Sequence, residues 1–267
     1  MMGLYQNRIV VKVGTSTLTN DIGKSDLRAM DNLARVLSDI QNMGYEVILV
    51  SSGAIAVGSN KLCMKSKPTS MRMKQAAASV GQCSIMYLYD KFFGDYDKTV
   101  GQILLNAEDI KEEEKKDNLT NTFDALLEMG VIPIVNENDS VSYTEIESEE
   151  RLFGDNDMLS AVVAVLCRAN KLIILSDIDG LFDSDPRLHP HAKRIDRIDS
   201  IDESIYALAG GAGSKRGTGG MKTKLQAAEL ATAQGIDTII TNGKNTEAIY
   251  DIVKGIGAGT LFKGKQR

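Results

Sequence analysis

The sequence predicts an α/β fold in which a mainly parallel β-sheet is sandwiched between helical layers. Short apolar runs rich in β-branched residues alternate with longer segments whose apolar residues recur every three or four positions. The short runs are apolar throughout, as is typical of strands that are covered on both faces. Strands and helices that alternate in this way indicate crossover connections and parallel pairing.

The first strand is predicted at Ile9 to Val13, where a β-branched run ends at Gly14. Five later apolar runs, each preceded by a helical segment, predict the remaining strands. They are Val47 to Val50, Val100 to Leu105, Val131 to Val135, Leu172 to Leu175 and Thr238 to Thr241.

The first predicted helix shows the helical pattern clearly, with Ser25 as its N-cap and Gly44 just beyond its end. Its apolar residues are Leu27, Met30, Leu33, Leu37 and Ile40. Further helices are predicted at about Ser70 to Phe93, Leu119 to Met129, Asn156 to Arg168 and Met221 to Gln234.

We expect a single domain over residues 1–267, because no repeat and no linker rich in proline and serine divides the sequence. Two segments break the alternation of strands and helices. Asp139 to Leu152 carries four glutamates, and Ala209 to Gly220 carries six glycines. Both segments are candidate mobile loops.

Composition argues against several classes of protein. The net charge of −5 comes without a basic stripe, which argues against nucleic-acid binding. The two histidines, His189 and His191, are too few for a Cys/His zinc site or a Ser-His-Asp triad. Three widely spaced cysteines fit reduced thiols, and no apolar run approaches the ~20 residues that span a bilayer. We therefore expect a cytoplasmic protein with no membrane partner.

Polar residues follow the predicted strands directly. In an open parallel sheet, ligands bind beyond the carboxyl ends of the strands, so these residues form one candidate rim for phosphates and a small polar molecule. The rim consists of Gly14-Thr15-Ser16, Ser51-Ser52-Gly53, Asn136-Glu137-Asn138-Asp139 and Ser176-Asp177.

Lys12 interrupts the first apolar strand, and a buried ammonium group needs an anion nearby. On position alone, a lysine that extends to solvent or pairs with an acid is an equal alternative. The adjacent Gly14-Thr15-Ser16 favours phosphate.

Gly217 to Lys224 is a glycine-rich turn that opens into an amphipathic helix, where backbone N–H groups and Lys222 or Lys224 attract phosphate. A plain flexible loop is the alternative. The segment lacks the Walker A spacing, and no Gly-x-Gly-x-x-Gly follows the first strand. Protein-kinase motifs are also absent from the sequence.

Asp139, Asn156 and Asp157 bracket the acidic loop and form a third cluster. An amino-acid ligand presents an ammonium and a carboxylate, for which Asp139 and Asn156 supply an acid and an amide, and Ser52 is a further candidate contact. Helix capping by Asp155 and Asn156 is the alternative.

These segments, in this order, resemble the amino acid kinase family, and within it the members that phosphorylate glutamate at the start of proline synthesis. The resemblance covers about Arg8 to Phe262. It rests on Val11 to Ser16, Ser51 to Ala56, Val135 to Asp139, Gly154 to Asp157, Asp183 to Arg187 and Gly217 to Lys224.

The resemblance implies the roles of individual residues. Lys12 and Lys224 neutralise the transferring phosphoryl group, and Asp157 orients them. Ser52, Asp139 and Asn156 bind glutamate. The implied nucleotide contacts are Lys12, Gly14, Ser176, Asp177, Thr218, Gly219, Gly220, Met221, Lys222, Thr223 and Lys224.

The same resemblance implies ATP and L-glutamate as substrates, magnesium that arrives bound to ATP without dedicated protein ligands, and proline as a feedback inhibitor. Many members carry an additional C-terminal domain of an RNA-binding type, which we do not expect here. We expect a homo-oligomer, a dimer or a tetramer. Met86 to Tyr89 is a candidate subunit contact, with core packing as the alternative.

Two other functions are alternatives. A kinase of the same fold would act on acetylglutamate, aspartate or a nucleoside monophosphate, although Asp139 argues against acetylglutamate, which has no free ammonium group. A non-catalytic amino-acid sensor would keep the pocket and lose turnover. The presence of both Lys12 and Lys224 argues against a sensor.

Overall fold

The computed structural model describes residues 7–20, 23–141, 156–209 and 220–265. Eight strands in this part of the chain form one sheet, in the order β3-β4-β2-β1-β5-β7-β8-β6. The strands are β1 (Arg8–Val13), β2 (Glu46–Ser51), β3 (Val100–Leu105), β4 (Ile132–Glu137), β5 (Lys171–Ser176), β6 (Arg197–Ile198), β7 (Asp237–Asn242) and β8 (Thr260–Phe262).

Strand pairing is parallel throughout the sheet except between β7 and β8. β1 lies at the centre, with Lys12 opposite Val50 of β2 on one side and Ile174 of β5 on the other. The predicted mainly parallel sheet is therefore confirmed.

Ten helices are described, and they cover both faces of the sheet. They are α1 (Thr15–Leu18), α2 (Leu27–Asn42), α3 (Ala54–Lys61), α4 (Met71–Gly94), α5 (Ala107–Lys111), α6 (Glu113–Glu128), α7 (Asn156–Leu166), α8 (Glu203–Ala209), α9 (Met221–Ala233) and α10 (Ala248–Val253).

Side chains of β1 alternate between two cores. Val10 packs in the core that α6, α7 and α9 cover, whereas Val11 and Val13 pack in the core that α2, α4 and α10 cover. Because neighbouring residues of a strand point to opposite faces, Lys12 lies on the same face as Val10, towards α7 and α9.

Helix ends differ from prediction at three places. The side chain of Asp26, and not of Ser25, caps α2 by accepting a hydrogen bond from the Ala29 backbone N–H at 3.0 Å. α6 begins at Glu113 rather than near Leu119, because its first turns are charged and exposed and carry no apolar pattern. α7 ends at Leu166, since Arg168 adopts a left-handed backbone with φ 54°.

Short elements were not predicted. The sequence patterns give no indication of α1, α3, α5, α8 and α10 or of the strands β6 and β8, all of which have eight residues or fewer. The helices among them span little more than two turns at most, and the two strands have only two and three residues, which is too short for an apolar repeat to appear.

The candidate mobile loops fall mostly on residues 142–155 and 210–219, which lie outside the described residues. Within the predicted subunit contact, Tyr89 is fully buried in the core while Tyr87 is 67% exposed. No helix among the described residues combines the length and apolar character needed to cross a membrane.

Candidate active site

The carboxyl ends of β4, β2, β1 and β5 meet at one edge of the sheet, because these four strands are parallel neighbours. The polar segments that follow them lie together along this rim, as the sequence predicts. Two helices complete the site from one face: α7 contributes its first residues and α9 its first turn.

Two lysines from distant parts of the chain converge on one carboxylate. Lys12 Nζ lies 2.6 Å from Asp157 Oδ1, and Lys224 Nζ lies 2.9 Å from Asp157 Oδ2. These three side chains, which we call the ion triad, come from β1, α7 and α9. Their charges sum to +1 before any ligand binds.

The ion triad is buried. Asp157 is 0% exposed, and Lys12 and Lys224 are 5% and 7% exposed. Burial alone would raise the pKa of Asp157, but the charges and hydrogen bonds of Lys12 and then Lys224 outweigh it and hold that pKa below its ordinary value. Asp157 therefore stays ionised, and the excess positive charge faces a low-dielectric environment in which an anion is strongly favoured.

Local structure fixes each member of the ion triad. Lys12 is held in a strand that pairs on both sides, and Asp157 is the second residue of α7, where the helix dipole favours a carboxylate. The Thr223 hydroxyl lies within hydrogen-bond distance of Asp157 Oδ2, at 3.2 Å, and shares its single proton between this oxygen and the Gly220 carbonyl oxygen.

A second cluster lies beside the ion triad, because Asn156 precedes Asp157 directly. Asn156 Nδ2 has two protons and lies within hydrogen-bond distance of three acceptors: the Ser52 hydroxyl at 2.8 Å, the Ser51 carbonyl oxygen at 2.8 Å and Asn136 Oδ1 at 3.0 Å. The structure thus brings together two of the three predicted substrate residues, Ser52 and Asn156.

The third predicted substrate residue, Asp139, lies on the turn after β4. No hydrogen bond or ion pair joins its carboxylate to another described residue. Burial raises the pKa of this carboxyl above its usual value. A partly buried carboxylate that has no cationic partner among the described residues is suited to receive the ammonium group of a ligand.

The predicted nucleotide contacts that the structure describes follow β1 and β5 and open α9. A Cβ atom placed on Gly14 would lie 3.5 Å from Lys12 Nζ, an ordinary contact distance, so Gly14 lies directly beside the ammonium group. Ser176 is buried at the end of β5 and donates a hydrogen bond to the exposed Asp177 at 3.2 Å.

The glycine-rich segment ends at the start of α9. Gly220 is the N-cap of this helix, and its carbonyl oxygen accepts a hydrogen bond from the Thr223 hydroxyl at 2.9 Å. Met221 is half-buried and Lys222 is exposed. Thr218 and Gly219 lie outside the described residues.

Three further residues shape the second cluster: Asn136, which the sequence placed only in the candidate rim, and Gln82 and Tyr89, which it did not assign to the site. Asn136 donates to Gln82 Oε1 at 2.9 Å, and the buried hydroxyl of Tyr89 lies 2.9 Å from Ser51 Oγ. The position of Asn136 at a strand end was a signal for it. A half-exposed glutamine on a helix carries no comparable signal, and Tyr89 resembles any aromatic core residue.

No group of three or more His, Cys, Asp or Glu side chains among the described residues has a geometry that could hold a metal ion. Both carboxylate oxygens of Asp157 already face lysine ammonium groups. Within the described part of the site, the Asp157 carboxylate therefore forms ion pairs with cationic side chains of the protein itself.

Comparison with known proteins identifies a family. Residues 7–242 match the profile described as "Amino acid kinase family". The chain is 55% identical to the "Glutamate 5-kinase" of Clostridium perfringens over 97% of its own length and 96% of the relative. It is 49% identical to the "Glutamate 5-kinase" of Clostridium acetobutylicum over 98% of its own length and 96% of the relative.

Solved structures with low sequence identity share the fold. The carbamate kinase from Giardia lamblia bound to AMP-PNP superposes with a TM-score of 0.67 at 17% identity, covering 98% of each chain. The UMP kinase from Bacillus anthracis gives a TM-score of 0.64 at 14% identity, covering 97% of each chain. At these identities the likeness concerns the fold alone.

Proposed function

The chain belongs to the amino acid kinase family, and we propose that it transfers the γ-phosphoryl group of ATP to the γ-carboxylate of L-glutamate. The product is γ-glutamyl phosphate, and the reaction is the first step of proline biosynthesis. The two relatives of known name, which the chain matches over nearly their whole length, support glutamate as the acceptor.

The observation that carries the proposal is the ion triad. Phosphoryl transfer spreads negative charge over three oxygens in the transition state, and enzymes catalyse it mainly by positioning and by cations. Two buried ammonium groups held by one ionised carboxylate supply such a site, with a net positive charge.

The chemistry follows from these groups. An oxygen of the glutamate γ-carboxylate attacks the γ-phosphorus of ATP, a new O–P bond forms, and the bond to the bridging oxygen breaks as ADP leaves. The attacking carboxylate is already ionised at neutral pH, so no general base is needed. Lys12 and Lys224 stabilise the transferring charge, and Asp157 holds the two lysines in place.

Substrate recognition falls to the second cluster and to Asp139. The desolvated Asp139 carboxylate pairs with the glutamate ammonium group. Ser52 and Asn156, which are hydrogen-bonded to each other, line the glutamate site. Gly14, Ser176 and Asp177, together with residues 218–224, contact the nucleotide.

Magnesium enters as part of the nucleotide substrate, since Mg²⁺ commonly binds through phosphates and keeps several waters. We further propose that proline acts as a feedback inhibitor, that the protein is a cytoplasmic homo-oligomer, and that residues 1–267 form one kinase domain. Proline inhibition and the homo-oligomer rest on the family resemblance. The cytoplasmic location rests on composition, and the single domain rests on a sequence without a repeat or a linker rich in proline and serine.

The decisive test is a hydroxamate assay with glutamate, ATP and magnesium, because hydroxylamine traps an acyl phosphate as it forms. We expect a hydroxamate product that depends on all three components. Acetylglutamate serves as the control acceptor, and it should react poorly because it has no ammonium group for Asp139. Equal turnover of the two acceptors, or none with glutamate, would contradict the proposal.

A further inference from the structure

Three amide side chains form a continuous hydrogen-bonded chain beside Ser52. Asn156 Nδ2 donates to Asn136 Oδ1 at 3.0 Å, and Asn136 Nδ2 donates to Gln82 Oε1 at 2.9 Å. Every bond in this amide chain runs in the same direction. Gln82 is therefore held by its carbonyl oxygen, and its Nε2 group points away from Asn136.

The other two amides are less available to a ligand. Asn156 Nδ2 has two protons and faces three acceptors within 3.0 Å. Asn136 Nδ2 donates one of its two protons to Gln82, and the residue is only 4% exposed. No described residue accepts a hydrogen bond from Gln82 Nε2, and this side chain is partly exposed. Gln82 is thus the member of the amide chain whose donors a ligand can reach.

Helix packing fixes the position of Gln82. α3 begins directly after Ser52-Gly53, and α4 carries Gln82 next to Gly81. A Cβ on Gly81 would lie 1.8 Å from the Ala54 carbonyl oxygen, and one on Gly58 would lie 1.7 Å from the Ala77 carbonyl oxygen. The two helix backbones are in direct contact, so Gln82 is held against the substrate end of β2.

We propose that Gln82 Nε2 donates a hydrogen bond to the α-carboxylate of glutamate and so selects α-amino acids over plain amines. This inference rests on the proposed function. Glutamate presents an ammonium group, which Asp139 attracts, and a γ-carboxylate, which reacts near Lys12 and Lys224. Its α-carboxylate also needs a donor, because burying an unpaired carboxylate is costly. A neutral amide anchored at its oxygen provides such a donor with fixed direction.

The test compares glutamate with 4-aminobutanoate, which is glutamate without the α-carboxylate. Values of kcat/KM for both are measured by the hydroxamate assay in the parent protein, in Gln82→Leu and in Gln82→Glu. Because a hydrogen bond to a charged group is lost, kcat/KM for glutamate should fall by about 10- to 100-fold in Gln82→Leu. The kcat/KM for 4-aminobutanoate should change by about threefold or less. In Gln82→Glu, kcat/KM for glutamate should fall further, because the introduced carboxylate repels the α-carboxylate of the substrate.

A matched control is Gln102→Leu, which makes the same replacement at an exposed glutamine of β3. It should leave both kcat/KM values at the parent level. Equal losses for the two substrates in both Gln82 variants would overturn the inference, since a purely structural role affects both alike. A parent protein that forms no hydroxamate from glutamate would instead overturn the proposed function.

Discussion

Lys224 is the residue whose removal should separate phosphoryl transfer from substrate binding. In Lys224→Ala the ion triad loses one of its two ammonium groups, and we expect kcat to fall by about 100- to 1,000-fold, as for other electrostatic donors to a transition state. Binding of glutamate, measured by calorimetry, should change little. The exposed Lys254 provides a control at Lys254→Ala, and a Lys224 variant that turns over like the parent would refute the assignment.

Asp139 should act on glutamate affinity more than on turnover. Replacement by Asn keeps the shape and removes the charge that attracts the ammonium group. We expect Asp139→Asn to raise the KM for glutamate by about 10- to 100-fold, the size of a charge-assisted hydrogen bond, while the KM for ATP stays near the parent value. Steady-state kinetics with each substrate varied in turn checks this. An unchanged glutamate KM would remove Asp139 from the site.

The Asp139 carboxylate should also affect how the stability of the protein depends on pH. Burial raises the pKa of Asp139 in the folded protein. Between its unfolded pKa of ~3.9 and the higher folded pKa, the folded state binds more protons, so stability falls as pH rises through that window. Asp139→Asn should therefore raise Tm at pH 7 by a few degrees, and the gain should shrink towards pH 4. The exposed Asp117→Asn is the control, and a gain independent of pH would contradict the argument.

Individual residues of the site were predictable where a residue type is unusual for the segment around it. Lys12 in an apolar strand and the glycines before Lys224 stand out in the sequence, and the structure places Lys12 and Lys224 on one carboxylate. Gln82 does not stand out, because a glutamine on a helix is ordinary unless its partners are known. Its partner Asn136 is 54 residues away in sequence.

At the scale of elements, the contact between α3 and α4 gives a prediction about stability. A methyl group on Gly81 would overlap the Ala54 carbonyl oxygen, so Gly81→Ala should destabilise the protein by about 1–3 kcal/mol or more, as expected for overpacking. It should also raise the KM for glutamate, because Gln82 moves with the helix. Urea unfolding and hydroxamate kinetics measure the two effects.

Gly94→Ala is the matched control for that variant. Gly94 is the last residue of α4, and a Cβ there meets no atom within 4 Å. Alanine favours the helix over glycine, so this change should be neutral or stabilising by up to about 1 kcal/mol. Equal unfolding free energies for the two variants would mean that the helices are not in close contact at Gly81.

Elements with a full apolar repeat were predictable, and the short ones were not. α2 and α4 span 16 and 24 residues and were placed nearly to the residue. The early turns of α6 are stabilised by charged residues that face solvent, such as Lys116 near Glu113 at 3.2 Å, so hydrophobic periodicity could not locate them.

The order of strands in the sheet was also beyond the sequence patterns. Alternating elements predict a parallel sheet, yet they leave open which strands are neighbours. β1 pairs with β5, although about 160 residues separate their paired positions, as Ile9 opposite Lys171 shows. This pairing makes the carboxyl ends of β1 and β5 neighbours on the rim.

Across the whole molecule, the two ends of the sheet have different roles. Lys12 and Arg8 lie on the same face of β1, four residues and therefore about 13 Å apart. Lys12 lies at the carboxyl rim and belongs to the ion triad. Arg8 is 2% exposed and binds Glu46 at 2.6 Å, Asp124 at 2.7 Å and the Cys167 carbonyl oxygen at 2.9 Å, which ties β1 to β2, to α6 and to the chain after α7.

This separation predicts that stability and activity can be changed independently. Arg8→Ala leaves Glu46 without this cation and Asp124 with Arg168 as its cationic partner, so it should destabilise the fold by about 3 kcal/mol, measured by urea unfolding. At a temperature where the variant is still folded, kcat and both KM values should stay near those of the parent. Arg197→Ala, which removes an exposed ion pair with Asp199, should leave the unfolding midpoint nearly unchanged. A folded Arg8 variant with a kcat reduced as strongly as in Lys224→Ala would show that the two ends of β1 are coupled.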